Sequence, residues 1–342
     1  MGAAMIRRAG EHGPRRQPSS LVPLLMHRSI HLLSGAFGGS WGRVEPFVGP
    51  LPERERLALG EVTLDLLRWP GPGQRKSMVR PPPPLLLLHG LNNNAWIWAR
   101  LAVRLQASRE VAAVSLHGHG QSSAPAEGYP LSRTTADLGE LLDRLVGECW
   151  AGPAILAGHS WGGKVACHLA ATFPQRFAAL ILADPVLPQG LNPVLRRFPG
   201  LMLAAFRPER GPFASRADWQ TGASRLIYLR QGDDLDRRIW EESFVEQQDG
   251  SFVHRLPEPS FREILLRTLA EDITPLLARL TCPVLLLRPT CTVSFWPGEL
   301  GPLRRTVARL EERRIAGDHT FIHTNPLDTT TAIAGFLQRS GC

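Results

Sequence analysis

A serine in a glycine-rich stretch is the residue of this sequence best placed to do chemistry. The stretch Gly158-His-Ser-Trp-Gly162 follows the apolar run Pro153–Ala157, which is typical of a buried strand, and precedes a helical pattern that ends before Pro174. Small neighbours let the chain make so sharp a strand-to-helix turn, which presents the Ser160 hydroxyl as a nucleophile. The Trp161 N–H is then free to donate to an oxyanion. The alternative is a glycine-rich turn whose serine takes no part in chemistry.

Strands and helices alternate around this serine. Apolar and polar residues alternate in Leu57–Leu59 and Val62–Trp69, as in the two strands of a hairpin. The later strand-like runs are Leu85–Leu88, Val111–Leu116, Ala179–Ala183, Pro283–Leu287 and Arg313–Ile315. Helical patterns cover Trp98–Gln106, Thr134–Val146 and Leu327–Leu337. Such alternation predicts the α/β class, with a mostly parallel central sheet and helices on both faces.

The alternation lapses between about residues 186 and 280. This stretch is helix-like and charged, and it contains the aromatic residues Trp219, Trp240, Phe244 and Phe252. A segment of this length between two strands is too long for a loop. We therefore expect one domain over residues 56–340 that carries an inserted helical cap at about 186–280.

Residues 1–55 are rich in glycine, proline and arginine and lack sustained periodicity, which predicts a basic, disordered N-terminal tail. An organelle-type basic presequence is the alternative. Residues 1–44 carry six arginines and one acidic residue, so they hold +5 of the net charge of +8. The remaining 298 residues carry only +3, and the high pI is therefore poor evidence for a nucleic-acid partner.

The sequence favours a cytoplasmic protein. The apolar patch Leu21–Leu33 is interrupted by Pro23 and Arg28 and is too short and polar to span a bilayer. It also lacks the features of a signal peptide. The five cysteines are scattered and form no C-x-x-C motif, which suits free thiols in a reducing compartment.

Several motifs in register give the chain a resemblance to the α/β-hydrolase family, in its single-domain, cap-bearing form. The resemblance covers about residues 57–340 and is carried by Leu85–Leu91, His117–Ser122, Gly158–Gly163, the helix end Thr172-Phe173-Pro174, and Gly317-Asp318-His319 through Pro326. It implies the α/β-hydrolase fold. It implies much less about the substrate, because this fold hosts many chemistries.

The resemblance also implies roles for single residues. Ser160 matches the nucleophile, the backbone N–H groups of Leu91 and Trp161 match the oxyanion hole, and His319 matches the catalytic histidine. A serine hydroxyl needs a base, usually an imidazole, so the residue chemistry agrees with the role of His319. The alternative for His319 is a surface-loop histidine, and we expect His323 to be a bystander.

Two departures from the family pattern affect the site. The family usually places the triad acid in the loop after the next-to-last strand, but that loop, Arg288–Ser294, has no carboxylate before Glu299. The family also usually has an aspartate where this chain has Ser115, which leaves a structural hydrogen bond without its expected acceptor.

Asp184 is our candidate for the missing acid. A triad histidine needs a carboxylate to set its tautomer and to stabilise the imidazolium. Asp184 ends the strand after the serine's helix, on the same rim of the sheet, where some relatives place their acid. The alternatives are that Asp184 only begins the linker to the cap, or that Glu299 is the acid. Asp318 directly precedes His319 and should not reach its ring.

We expect no cofactor and no metal. His117 and His119, together with His89 and Asp184, are residues of the types that bind zinc, but histidines recur in these turns of the family without metal. The glycine-rich turns match neither G-x-G-x-x-G nor a P-loop, so they predict no phosphate site.

The leading hypothesis is a cofactor-free serine hydrolase of the carboxylesterase type that cleaves an apolar, small-molecule ester, or a similarly activated carbonyl, through an acyl-enzyme. A serine at the turn argues against dehalogenase and epoxide-hydrolase variants, which need an aspartate nucleophile there. The alternatives are a non-catalytic or ligand-sensing protein that lacks an effective triad, and an acyltransferase. Substrate identity and oligomeric state are left open.

Overall fold

The computed structural model of the chain describes residues 46–72, 81–125, 128–187, 197–200, 203, 210–224, 232–292 and 300–342. Most of the predicted tail, parts of the predicted cap and the alternative acid Glu299 lie outside the described residues.

An eight-stranded sheet forms the centre of the molecule. The ten described strands are β1 (Glu53–Leu59), β2 (Val62–Trp69), β3 (Leu85–Leu88), β4 (Val111–Ser115), β5 (Ala154–His159), β6 (Phe177–Ala183), β7 (Phe244–Glu246), β8 (Phe252–His254), β9 (Val284–Pro289) and β10 (Leu310–Ile315). The order across the sheet is β1-β2-β4-β3-β5-β6-β9-β10, and β7 pairs with β8 separately. From β4 to β10 every pairing is parallel, while β2 runs antiparallel to both of its neighbours. The prediction of a mostly parallel sheet is confirmed.

Helices cover both faces of this sheet. The described α-helices are α1 (Ala99–Leu105), α2 (Leu131–Glu148), α3 (Trp161–Thr172), α4 (Arg216–Ser224), α5 (Asp234–Glu241), α6 (Glu258–Ala270), α7 (Thr274–Leu277), α8 (Leu300–Thr306), α9 (Phe321–Thr324) and α10 (Pro326–Arg339). Successive leucines of β3 join opposite cores: Leu86 and Leu88 pack with α2 and α3, whereas Leu85 and Leu87 pack with α1 and α10. This period of two places a hydrophobic core on each side of the sheet.

The N-terminal boundary of the fold differs from the predicted one. Strand β1 begins at Glu53, inside the predicted tail of residues 1–55, and pairs with β2 from Glu53 opposite Arg68. The strand opens with the charged run Glu-Arg-Glu-Arg and lies at the edge of the sheet. Its first residues therefore carry no apolar signal, because backbone pairing rather than burial holds them in place.

The segment between β6 and β9 contains helices α4, α5 and α6 together with the antiparallel hairpin β7–β8, which the helix-like pattern did not predict. Aromatic rings pack together at its centre: Trp219 stacks on Phe252 at 4.7 Å between ring centroids, and Trp240 lies 4.4 Å from Phe244. Aromatic pairs of this kind stabilise a fold beyond their area burial.

None of the helices in the described part of the chain is long and apolar enough to cross a membrane.

Candidate active site

Ser160 lies at the turn between β5 and α3 in a conformation that few residues adopt. Its backbone has φ 55° and ψ −121°, a combination that is costly for a residue with a side chain. Three backbone hydrogen bonds hold it there: its N–H donates to the carbonyl of Ala183 at 3.0 Å, and its carbonyl accepts from Gly163 at 3.0 Å and Val186 at 3.1 Å. The end of β6 and the residues after it therefore support the strained turn.

Two glycines let other chain segments approach this turn. A Cβ on Gly162 would collide with the carbonyl oxygens of Leu88 and His89 at the end of β3. A Cβ on Gly90 would lie 2.9 Å from the Cβ of Ser160, which is closer than real Cβ atoms come to their neighbours. The backbone after β3 is therefore packed directly against Ser160.

His319 connects Ser160 to Asp184. Its Nε2 lies 2.9 Å from Ser160 Oγ, and its Nδ1 lies 2.6 Å from Asp184 Oδ2. Because a carboxylate only accepts, Nδ1 carries the proton and the neutral ring accepts from the serine hydroxyl at Nε2. The three residues follow β5, β6 and β10, whose carboxyl ends meet at one edge of the parallel sheet.

The pKa of His319 is set by two opposed effects. Burial disfavours the charged ring and by itself lowers the pKa, but the hydrogen bond to Asp184 and the charges of Asp184 and Asp318 outweigh it. The pKa of His319 is therefore raised above the ordinary value of 6.5. The His319 side chain is nevertheless 36% exposed, so solvent reaches part of its surface.

Asp184 is fully buried and is held in place by its neighbours. Its backbone φ is 42°, and its N–H donates to the Leu287 carbonyl of β9 at 2.9 Å. The hydroxyl of Thr292 lies 2.7 Å from one carboxylate oxygen and 2.9 Å from the other. The described part of the loop after β9 thus supplies a hydroxyl that binds the carboxylate following β6, the neighbouring strand in the sheet.

Asp318 was also considered for this role, and its carboxylate is engaged elsewhere. The Asp318 carboxylate accepts from the Thr320 backbone N–H at 2.8 Å and from its hydroxyl at 2.6 Å, so it caps its own turn. Glu299 lies outside the described residues.

Leu91 and Trp161 lie on the two chain segments that meet at Ser160. Trp161 is the first residue of α3, where an N–H has no acceptor within the helix and the helix dipole favours negative charge. Leu91 belongs to the turn after β3 that Asn93 N–H closes on the Gly90 carbonyl at 3.3 Å. Leu91 directly follows Gly90, where an added Cβ would lie 2.9 Å from the Cβ of Ser160, and Trp161 directly follows Ser160.

Sequence reasoning missed His159, which precedes the serine. Its Nε2 lies 2.7 Å from the carbonyl oxygen of His319, and the two ring centroids are 4.7 Å apart. A carbonyl only accepts, so Nε2 must carry the proton. Burial and the neighbouring His319 keep the pKa of His159 well below 6.5, which maintains that neutral donor. No sequence signal identifies it, because the position it occupies in the glycine-serine motif accepts any residue.

Sequence reasoning also missed Asp65, which supplies the carboxylate that the family usually places at position 115. Asp65 of β2 lies directly opposite Ser115 of β4 in the antiparallel pairing. The Ser115 hydroxyl donates to Asp65 Oδ2 at 3.1 Å, and the Gln121 N–H donates to the same oxygen at 3.3 Å. The neighbouring strand thus provides the carboxylate that supports the turn after β4.

Each histidine considered for zinc has at least one ring nitrogen in contact with another group of the protein. His89 donates from Nδ1 to the Gly90 carbonyl and accepts at Nε2 from Leu116 N–H, and burial lowers its pKa to about 4. His119 donates from Nδ1 to the His117 carbonyl, and His117 lies 3.2 Å from Asp137. Over the described ranges no group of three or more His, Cys, Asp or Glu residues is placed to hold a metal ion.

Comparisons with known proteins agree with this architecture. The chain is 38% identical to the lipase LipV of Mycobacterium tuberculosis over 143 residues, which cover 42% of this chain and 51% of LipV. It is 28% identical to human epoxide hydrolase 4 over 185 residues, which cover 51% of this chain and 50% of that enzyme. The chain thus spans about half the length of these curated relatives.

A solved structure covers more of the chain. The crystal structure of E-2-(acetamidomethylene)succinate hydrolase superimposes with a TM-score of 0.68 at 22% identity and covers 84% of this chain and 99% of that one. At this identity the likeness shows the fold alone. The family model described as the alpha/beta hydrolase fold matches residues 83–253, which is half of the chain. The protein therefore belongs to the α/β-hydrolase fold family.

Proposed function

We propose that this protein is a serine hydrolase that cleaves a small-molecule ester, or a similarly activated carbonyl, through an acyl-enzyme. The single observation that carries the proposal is the continuous contact from Ser160 Oγ through the His319 ring to the Asp184 carboxylate. In this proposal Ser160 is the nucleophile, His319 the general base and acid, and Asp184 the acid that orients His319.

The first half of the reaction forms the acyl-enzyme. Ser160 Oγ attacks the carbonyl carbon while its proton passes to His319 Nε2, and the carbonyl electrons move onto oxygen. The N–H groups of Leu91 and Trp161 stabilise that oxyanion, and Asp184 stabilises the imidazolium. When the intermediate collapses, the bond to the leaving alcohol breaks and His319 returns the proton to the alkoxide.

Water completes the cycle by the same steps. His319 takes a proton from a water molecule, the hydroxide oxygen attacks the acyl carbon, and the bond to Ser160 Oγ breaks as His319 returns the proton to the serine. The partial exposure of the His319 side chain is compatible with entry of that water.

The residue at the turn favours ester chemistry over epoxide opening. A relative is named epoxide hydrolase 4, but the carboxylate nucleophile that this reaction requires would have to stand at position 160, where this chain has a serine. The name of LipV, a lipase, supports an ester with an apolar part as the substrate. The five cysteines are free, which supports a reducing, cytoplasmic setting as part of the proposal.

Replacement of the nucleophile tests the proposal. We expect the wild-type protein to react with a fluorophosphonate probe and to hydrolyse a short p-nitrophenyl ester, and Ser160→Ala to lose both properties. Ser108→Ala is the matched control: Ser108 is exposed in the turn that follows α1, and its replacement should leave both properties unchanged. Equal turnover by wild type and Ser160→Ala would refute the proposal that this protein is a serine hydrolase.

Two alternatives have their own outcomes in the same experiment. A non-catalytic member of the fold would show neither labelling nor turnover in the wild type. An acyltransferase would label at Ser160 but would transfer the acyl group to an added alcohol faster than to water, as product analysis would show.

A further inference from the structure

The oxyanion turn is the four-residue turn Gly90–Asn93. Gly90 lies against Ser160, and Asn92 has φ 65°, a left-handed conformation that asparagine adopts more readily than most residues. The position of the Leu91 N–H depends on this turn. A short turn with one left-handed residue needs outside contacts to hold a single geometry.

Arg210 supplies such a contact from the segment between β6 and β9. One of its terminal nitrogens, Nη1, donates to the side-chain oxygen of Asn92. The other, Nη2, donates to the Leu256 carbonyl at 2.5 Å, and Nε donates to Glu258 at 3.0 Å. The guanidinium also lies 4.0 Å from the ring centroid of Phe261 in α6.

These contacts fix the guanidinium in one orientation. The Arg210 side chain is only 4% exposed, and a buried cation without partners would be strongly unfavourable. Its planar donors are arranged at fixed angles, so binding at Leu256 and Glu258 determines where the remaining nitrogen points. That nitrogen points at Asn92.

The same segment touches the residues after the turn at a second place. Asn94 donates from its side-chain nitrogen to the Ile239 carbonyl at 2.9 Å and lies 3.0 Å from the Ser243 hydroxyl. The chain that follows β3 is therefore held by the inserted segment at both Asn92 and Asn94.

We propose that Arg210 is a positioning residue for the oxyanion turn: it holds Asn92, and through Asn92 the Leu91 N–H, beside Ser160. This inference rests on the proposed ester hydrolysis for its kinetic consequence. Arg210 acts through the turn and does not contact the reacting atoms. Since loss of one oxyanion donor costs about 10²–10³ in kcat, partial misplacement should cost about 10–10².

A double-mutant cycle tests the proposal. Arg210→Met and Asn92→Gly should each lower kcat for a p-nitrophenyl ester by about 10–10² with KM within about threefold of wild type. Glycine tolerates the left-handed φ, so Asn92→Gly removes the amide without straining the turn. The double variant should be no slower than the slower single variant, because both remove one contact. Losses that multiply would overturn the proposal.

Two further variants separate the donor geometry of Arg210 from its charge, and a specific loss of activity from a general effect of removing an arginine. Arg210→Lys keeps the charge but not the fork of donors, so it should lose nearly as much kcat as Arg210→Met. Arg216→Met is the matched control, because Arg216 lies on α4 of the same segment with an exposed side chain. Its kcat should match wild type.

Hydrogen exchange gives a readout that does not depend on turnover. Arg210→Met should speed amide exchange several-fold in the peptide that contains Leu91–Asn93, and Arg216→Met should not. If the wild type neither hydrolyses esters nor reacts with the fluorophosphonate probe at Ser160, the proposed function fails. Amide hydrogen exchange then decides the Arg210 proposal by itself. Unchanged exchange would overturn it. If Arg210→Met does not fold, Asn92→Gly carries the test.

Discussion

The buried carboxylate of Asp184 is the residue on which the proposed chemistry depends most. It contacts His319 Nδ1 at 2.6 Å and is bound by Thr292, while the left-handed backbone at φ 42° aims it along the rim of the sheet. A neutral imidazole whose Nδ1–H is bound this way presents its Nε2 lone pair to the serine. The carboxylate therefore sets both the tautomer and the orientation of the base.

Asp184→Asn should keep the fold and lower kcat by about 10³–10⁴, because an amide can donate to Nδ1 and so stabilise the wrong tautomer. Steady-state kinetics on a p-nitrophenyl ester measure the loss. Asp318→Asn is the matched control, because its carboxylate bonds Thr320 rather than the ring, and we expect a much smaller loss. A loss of less than about tenfold in Asp184→Asn would contradict the assigned role.

The same variant has a pH signature. His319 accepts the serine proton only when neutral, and its pKa is raised above 6.5 because Asp184 and Asp318 outweigh the effect of burial. Wild-type kcat/KM should therefore fall on acidification with a midpoint above 6.5. Removing the Asp184 charge lets burial dominate, so the midpoint of the residual activity should move to lower pH. A midpoint that does not move would show that another group controls the acidic limb.

At the scale of elements, helix α3 links Ser160 to the segment between β6 and β9. Lys164 lies one turn after Ser160 and is fully buried. Its Nζ donates to the carbonyl of Thr268 at 2.8 Å and to that of Glu271 at 2.6 Å, at the C-terminal end of α6. Cations are favourable at a helix C-terminus. Helix α6 also carries Phe261, so one helix contacts both Lys164 and Arg210.

Burial lowers the pKa of Lys164 from 10.5 to about 8, against the smaller raising effect of nearby acids. Between these two values the unfolded chain binds a proton that the folded chain has lost, so this lysine makes the folded state more stable as pH rises. The free energy of unfolding of wild type relative to Lys164→Met should therefore rise between about pH 8 and 10.5.

Denaturant titrations at several pH values measure this difference. Lys164→Met is the suitable reference, because methionine keeps the length and apolar character of the stem and removes the titrating group. A difference that stays flat across the window would show that Lys164 keeps an ordinary pKa in the folded protein.

At the scale of the whole molecule, a buried ionic cluster joins the start of the described chain, the inserted segment and the loop of His319. Arg100 of α1 lies 2.6 Å from Asp233 and 3.6 Å from Asp236, and His323 Nε2 lies 2.8 Å from Asp236. The N–H of Phe47 donates to Asp233 at 2.9 Å. His323, which the sequence marked as a bystander of the chemistry, thus anchors helix α9 to helix α5.

Because Phe47 belongs to this cluster, the effect of an N-terminal truncation depends on where the chain is cut. Removing residues 1–45 should leave the melting temperature and the activity unchanged, since that stretch shows no periodicity able to bury a core. Removing residues 1–50 also deletes Phe47, which bonds Asp233 and packs against the core on the α1 side. Loss of about 1–2 kcal/mol should lower the melting temperature by several degrees.

Calorimetry on both truncated chains compares them directly with the full chain. An equal melting temperature for the two truncations would mean that the Phe47 contacts contribute nothing to stability. A large drop on removing residues 1–45 alone would mean that this stretch packs on the domain.

Features set by neighbours in sequence could be predicted without a structure. The glycines around Ser160 permit a sharp turn between strand and helix, and the continuous apolar run Pro153–Ala157 predicts a buried strand. Order along the chain then placed His319 after the last strand. These features depend on local backbone sterics and on hydrophobic periodicity, both of which are written in consecutive residues.

Contacts between distant residues were decided only by the tertiary structure. Asp184 and His319 are 135 positions apart, Asp65 and Ser115 are 50 apart, and Arg210 and Asn92 are 118 apart. Which of these side chains meet depends on the order and register of the strands and on how the described residues between β6 and β9 pack. No local pattern encodes the order of the strands. Several carboxylates on the same rim of the sheet have suitable chemistry, and only the packing of the chain decides which one reaches the histidine.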